Sequence, residues 1–186
     1  YIENQILDEK EISRAMNFLI DSAKNGNSKT QTRLAELYLD QRFQYFDKKE
    51  GIYWLEQAKK SSFQANILLS EIYFSLDYNF FKYGESLSNA IDLYENGTAI
   101  DYISDRALID AYQDAANYYY QIGVPEKAES LLRKSSLYFS ESDQNDFDVW
   151  RKTLLAGVSS DYESSTAYLE GLIEENKTKD GVTNYR

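Results

Sequence analysis

The 186-residue chain contains no cysteine and no histidine. The first absence excludes disulfides, thiolate metal sites and a cysteine nucleophile, and leaves the redox compartment open. The second removes the commonest general base and the commonest metal ligand. There is one proline, and glycine occurs eight times. Strand-and-turn architectures need more punctuation than that. Positive charge is also scarce, with 20 Lys and Arg against 31 Asp and Glu, a net charge of −11. Such a surface repels phosphate backbones, so nucleic acid and anionic membrane are not expected partners. No apolar run reaches the length of a membrane span or a signal core. The first residue is Tyr1, not Met, which suggests a fragment or a processed form.

What is present is apolar residue at 42%, enough for a sizeable core, and 17 tyrosines. Tyrosine packs its ring while keeping its hydroxyl wet, which suits thin helical layers. Helical periodicity dominates: Ile12, Ala15, Met16, Leu19 and Ala23 share one stripe,. The pattern predicts helices over 8–25, 28–41, 47–60, 62–77, 81–95, 103–122, 125–139, 144–158 and 161–177. The breaks between them are short and polar, so neighbours should run antiparallel. Asp47 and Ser104 are candidate N-caps, and Pro125 suits a first helical turn.

The stretch "KKEGIYWLEQAKKSSFQANILLSEIYFS" (48–75) exposes an internal repeat. "RAMNFLIDSA" (14–23) lies over "EGIYWLEQAK" (50–59), pairing Ala15 with Gly51, Phe18 with Trp54 and Leu19 with Leu55. "QTRLAELY" (31–38) lies over "NILLSEIY" (66–73), pairing Leu34 with Leu69, Ala35 with Ser70 and Tyr38 with Tyr73. "KAESLLRKSS" (127–136) fits the first frame through Ala128, Leu131, Leu132 and Ser135. A further copy at Leu87 and Ala90 keeps Leu-x-x-Ala but loses the aromatic. A unit of this length is one helical hairpin. Small residues belong where two backbones approach, Tyr and Trp fill the gap beside them, and Leu closes the core. Trp54, with Phe18 and Leu131, should therefore be buried between hairpins.

Asp47, Gly51, Trp54, Leu55, Ala58, Ala65, Leu69, Ser70 and Tyr73 resemble the Sel1-like repeat, and Ser22, Ala23, Gly26, Thr30, Leu34, Ala35 and Tyr38 resemble it again. Tyr112, Ala115, Ala116, Tyr119, Ala128, Leu132 and Ser135 are similar to the tetratricopeptide spacing, with Ser140 where that family usually has Pro. "DQRFQYF" (40–46) replaces the Gly-rich turn of the Sel1-like unit. The resemblance covers about 10–75 and 104–140. It implies an all-α solenoid, an α-α superhelix of about four antiparallel hairpins plus a leading half-hairpin, forming one domain over 1–180 with a tail at 181–186.

Chemistry-bearing motifs are few. "DQNDFD" (143–148) has calcium-loop-like spacing but lacks the turning Gly and the closing Glu, and reads as an acidic helix start. "NGT" (96–98) and "NKT" (176–178) match the glycosylation pattern by chance in an Asn-rich chain. Adjacent acids such as Asp8 and Glu9, or Glu174 and Glu175, diverge on a helix and do not form an acid/base pair. In "YYY" (118–120), Tyr119 is expected in the core and Tyr120 pointing outward. There is no phosphate loop, no nucleophile elbow and no metal-ligand spacing. No cofactor, metal or catalytic residue is expected.

The resemblance implies a binding scaffold and not an enzyme. In such solenoids the first helix of each hairpin lines the concave side. That rule assigns Thr32, Glu36 and Leu39, then Ile67, Glu71 and Phe74, then Gln113, Asn117, Tyr120 and Gln121, to the partner-binding face. Acids beside an apolar ladder would suit a protein or peptide with basic and apolar residues. Three readings follow: a protein–protein adaptor, a bacterial periplasmic scaffold for alginate-like exopolysaccharide export, and a helical carboxylate enzyme, with the adaptor favoured. Absence of Cys and a Tyr/Asn-rich make-up lean towards the periplasm.

Overall fold

A computed structural model describes residues 9–139 of the chain. Every regular element among them is a helix: α1 (Glu9–Lys24), α2 (Ser28–Leu39), α3 (Lys48–Ala58), α4 (Phe63–Ser75), α5 (Phe80–Glu95), α6 (Asp105–Gln121) and α7 (Pro125–Ser136). These are the first seven helices expected from periodicity. The two expected over 144–158 and 161–177, the fourth hairpin they would form, and the acidic stretch 143–148 lie outside the described residues.

Local chemistry sets the helix starts. The side chains of Asn27, Asp47, Ser62 and Asn79 cap α2, α3, α4 and α5 by accepting backbone N–H groups of the first turn,. Asp47 takes two, from Lys49 at 2.9 Å and Glu50 at 3.2 Å. Pro125 opens α7 where no N–H is needed,. Gly26 ends α1 at φ 85°, a left-handed conformation that a side chain would strain,.

The chain divides into two compact units after Ser104. In the first, α2 pairs with α3 and α4 with α5, α1 lies on α2, and α3 meets α4. Thus α1 is a half-hairpin and two full hairpins follow it. In the second unit α6 and α7 form a hairpin of their own. The core of the first unit holds Leu34, Leu55, Phe63, Leu69 and Leu87, and that of the second Leu108, Tyr112, Ala115, Ala116 and Leu132.

Repeated sequence positions make repeated contacts. The Asp47 N–H donates to the Tyr38 carbonyl at 2.8 Å, and the Asn79 N–H donates to the matching Tyr73 carbonyl at 2.7 Å. Each bond closes a hairpin at its turn. The Gln31 side-chain amide donates to the Ala23 carbonyl at 2.9 Å, and Asn66, its counterpart, donates to the Lys59 carbonyl at 2.7 Å. Ala23 and Lys59 are themselves counterparts. Each buried amide therefore ties a helix to the last turn of the one before it; the Ala23 carbonyl also accepts the Gly26 N–H at 3.0 Å,.

Gly51 shows why a small residue is needed. A Cβ there would lie 2.6 Å from Leu39 Cγ and 3.3 Å from the Ala35 carbonyl oxygen. The backbones of α2 and α3 meet at this point. Trp54 is buried at 5% exposure and Leu131 likewise, as the repeat frame requires. Phe18, the counterpart of Trp54, is 74% exposed, which corrects the expectation that it joins the core. The reason lies in the half-hairpin. Trp54 sits on a helix with α2 beside it, whereas no described helix occupies the matching flank of α1.

Candidate partner-binding face

The sequence assigned three positions in each of α2 and α4, and four in α6, to a common face. The structure sorts them by what they touch. Thr32 is buried: its Oγ1 lies 2.9 Å from the Ser28 carbonyl and 3.1 Å from Ser62 Oγ, where α2 meets the start of α4. Ser61 Oγ donates to Ser28 Oγ at 2.7 Å in the same seam. Thr32 is thus a joint between layers and not a contact for a partner. Leu39 is half-buried and covers Gly51, so it too serves the hairpin. Tyr120, expected to point outward, is 3% exposed, and its neighbour Tyr119 is only half-buried. Tyr119 lies at the edge with Lys127, whose Nζ donates to its hydroxyl at 2.6 Å. The error came from counting a helical stripe from one Tyr of three. Leu39, Phe74 and Tyr120 occupy the same repeat position, and in the first two it faces the second helix of its own hairpin, at Gly51 and at Tyr83.

Glu36, Ile67, Glu71 and Phe74 remain accessible in whole or part in the first unit. Glu36 is held by Arg33 at 2.9 Å, one turn back. Glu71 is exposed overall, but partial burial of its carboxyl raises its pKa above the usual carboxylate range,. Phe74 follows one turn on, 56% exposed, with its ring 5.0 Å from that of Tyr83. In the second unit Gln113 and Asn117 are half-buried and Gln121 is exposed, its Nε2 3.3 Å from Asn117 Oδ1.

A group that the periodicity did not single out follows Phe74 in the chain. Leu76, Tyr78 and Phe81 are 54%, 86% and 80% exposed. They cluster in the four-residue link 76–79 and the first turn of α5. The signal was in the sequence: "SLDYNFF" (75–81) places aromatics where a link is normally polar. Tyr78 has φ 49°, so the turn holds a bulky side chain in the left-handed region,.

The charged groups near this surface are structural in their pairing. Tyr73 donates to Glu56 Oε1 at 2.5 Å, Lys59 lies 2.7 Å from Glu56 Oε2, and Lys82 lies 4.8 Å from the Tyr73 ring centre. Burial opposes the charge on Glu56, but hydrogen bonds from Lys59 and Tyr73 outweigh it, and the net pKa is lowered. Burial, then the Glu56 carboxylate, pushes the Tyr73 hydroxyl far above its ordinary value. Among the described residues no cluster of three potential ligands could hold a metal ion, and no helix is long and apolar enough to cross a membrane. Comparison with known protein families, with characterised proteins and with solved structures gave no match.

Proposed function

We propose that the chain is a non-catalytic scaffold, a solenoid of helical hairpins similar in plan to Sel1-like and tetratricopeptide repeats, that binds a protein partner. The observation that carries this reading is the run of exposed apolar residues Phe74, Leu76, Tyr78 and Phe81 in one short stretch after Glu71. Exposed apolar side chains gathered in one short stretch are costly in water and are candidates for an interaction site. Here they stand on a frame whose closing bonds recur from one hairpin to the next. Such a frame fixes the backbone and leaves its outer positions free to specify a ligand. The ligand that fits is a segment with an apolar anchor for Phe74 and a basic side chain for Glu71. The apolar contact supplies most of the affinity, and the charge orients and speeds association.

A photo-crosslinking residue at Phe74 in the intact protein, with a control at the exposed Asp92 on α5, tests this directly. A partner captured at 74 and not at 92 supports the reading. Equal capture at both, or none, rejects it. With that partner, Phe74→Ala should raise the dissociation rate about tenfold, whereas Glu36→Lys with Glu71→Lys should mainly slow association at low salt.

A further inference from the structure

Helices α1 and α3 carry the same face, and only α3 has it covered. On α3, Gly51, Trp54, Leu55 and Ala58 are all buried. The Leu39 side chain and the Ala35 carbonyl oxygen of α2 lie against Gly51. In the repeat frame the matching residues of α1 are Ala15, Phe18, Leu19 and Ser22. Ala15 and Phe18 are exposed, and Leu19 and Ser22 are half-buried. The side of α1 turned to the protein carries the buried Met16 and Ala23. Ile12 and Leu19, both half-buried, lie between that side and the open face,. A face that receives a helix in one layer is therefore left open in the other.

The pattern of sizes and charges says what fits there. Glu11, Ala15, Phe18 and Ser22 form a stripe with alternating steps of four and three residues, the spacing of a coiled-coil seam. When two such stripes run antiparallel, Phe18 of each helix rests on Ala15 of the other. That is a large side chain over a small residue, as Leu39 lies over Gly51 within the chain. On the outer border of the stripe, Arg14 of each helix comes opposite Asp21 of the other, at the flanking positions where paired helices match charges. Both are exposed, and neither has an ion pair among the described residues. Lys10, Arg14 and Lys24 balance Glu9, Glu11 and Asp21, so α1 is neutral in a chain of net charge −11. Two copies of this helix meet without local repulsion. In size and in charge, α1 is its own complement.

We propose that two copies of this chain associate through α1, antiparallel about a two-fold axis, with Phe18 on Ala15 and Arg14 by Asp21 at both symmetry-related places. One helix pair buries less than a standard interface, and Glu11 and Ser22 make the ends of the stripe polar. The dimer is accordingly weak, half formed on the order of 100 µM. It uses none of the exposed residues between Phe74 and Phe81, so this proposal and the binding of a partner there can fail separately.

Sedimentation equilibrium of the full chain from roughly 10 µM to 1 mM, the range of weak association, tests it. The mass should rise from monomer towards dimer. Phe18→Asp should weaken association about tenfold or more with an unchanged helical spectrum, since Phe18 is exposed in the monomer. Phe74→Asp should leave association as it is. Arg14→Asp and Asp21→Arg move the net charge in opposite directions, yet each alone should weaken the dimer about threefold or more, because symmetry turns two attractive pairs into two repulsive ones. Together in one chain they should restore it. A monomer up to 1 mM, undiminished association in Phe18→Asp, loss of association in Phe74→Asp, or no rescue by the double exchange would each overturn the proposal.

Discussion

The hairpins α2–α3 and α4–α5 share a frame and differ in what fills it. Both close with a cap-residue N–H on a tyrosine carbonyl, and both are tied back by a buried amide. Leu39 in the first covers Gly51, and the backbones come close. Its counterpart Phe74 meets Tyr83, which stands where Gly51 stands if Leu55 and Ala58 are laid on Leu87 and Ala90. A ring against a ring cannot nest as Leu nests on Gly, and Phe74 is left more than half exposed. In the same frame Trp54 corresponds to Ser86, so the large core side chain is absent from α5. The two links differ as well, eight residues (40–47) against four (76–79). One hairpin is thus closed by a small-residue contact and a tryptophan. The other buries Phe63, Tyr73 and Tyr83 but leaves Phe74, Tyr78 and Phe81 at the surface.

The sharpest break in that comparison is Trp54→Ala, which should destabilise the protein by about 3–5 kcal/mol in denaturant unfolding. Ser86→Ala at the matching position should change stability by less than about 1 kcal/mol. Because the indole N–H has no acceptor among the described residues, Trp54→Phe should lose only volume and cost well under the Ala change. Equal effects of Trp54→Ala and Ser86→Ala would show that the two hairpins share their load evenly.

Next in size are the buried amides. Gln31→Met should cost about 1 kcal/mol, because the Ala23 carbonyl keeps the Gly26 N–H at 3.0 Å, and Asn66→Leu about 1–3 kcal/mol, because it strands the Lys59 carbonyl,. Hydrogen exchange should localise the loss to the ends of α1 and α3 respectively. If both variants open the same region, the amides do not act as separate ties.

Gly51→Ala comes third. The new Cβ gains about 1 kcal/mol of helix propensity but overpacks Leu39 by more, giving a net loss of about 1–2 kcal/mol. Leu39→Ala in the same chain should recover part of that loss in a double-mutant cycle. A stabilised Gly51→Ala would mean that α2 and α3 can part at no cost.

The smallest effects are in pH dependence. Glu56, lowered from 4.5, contributes stability above that pH and loses it as pH falls through its folded value,. Tyr73, raised from 10.0, contributes stability below pH 10 and loses it as pH rises further,. Glu71, raised from 4.5, has the opposite sign to Glu56: its contribution is present when protonated and is lost as pH rises through its folded value. Glu56→Gln should therefore flatten the acid limb of the stability profile and Tyr73→Phe the alkaline limb. Glu71→Gln should raise stability slightly at neutral pH, with the difference vanishing below pH 4.5. Tyr38→Phe should do less than Tyr73→Phe, since the α1 counterpart of Glu56 is Ile20.

The sequence by itself determined the helices, their caps and the repeat. Those depend on neighbours within a turn or two, and on residue sizes that recur at fixed spacing: Asp47 before α3, Gly51 for close approach, Trp54 for the core. It also marked the absent chemistry, since no side chain present could make a thiolate or imidazole site. Only the tertiary structure decided which outward-looking positions are accessible. Thr32, Leu39 and Tyr120 lie on a plausible outer stripe, but a stripe cannot say whether the next helix covers it. Covering depends on the size of a residue on another helix, Gly51 under Leu39 or Tyr83 beside Phe74. Phe18 makes the same point in reverse: it has a core residue's identity and spacing, and it is exposed because burial needs a neighbour that local sequence cannot supply.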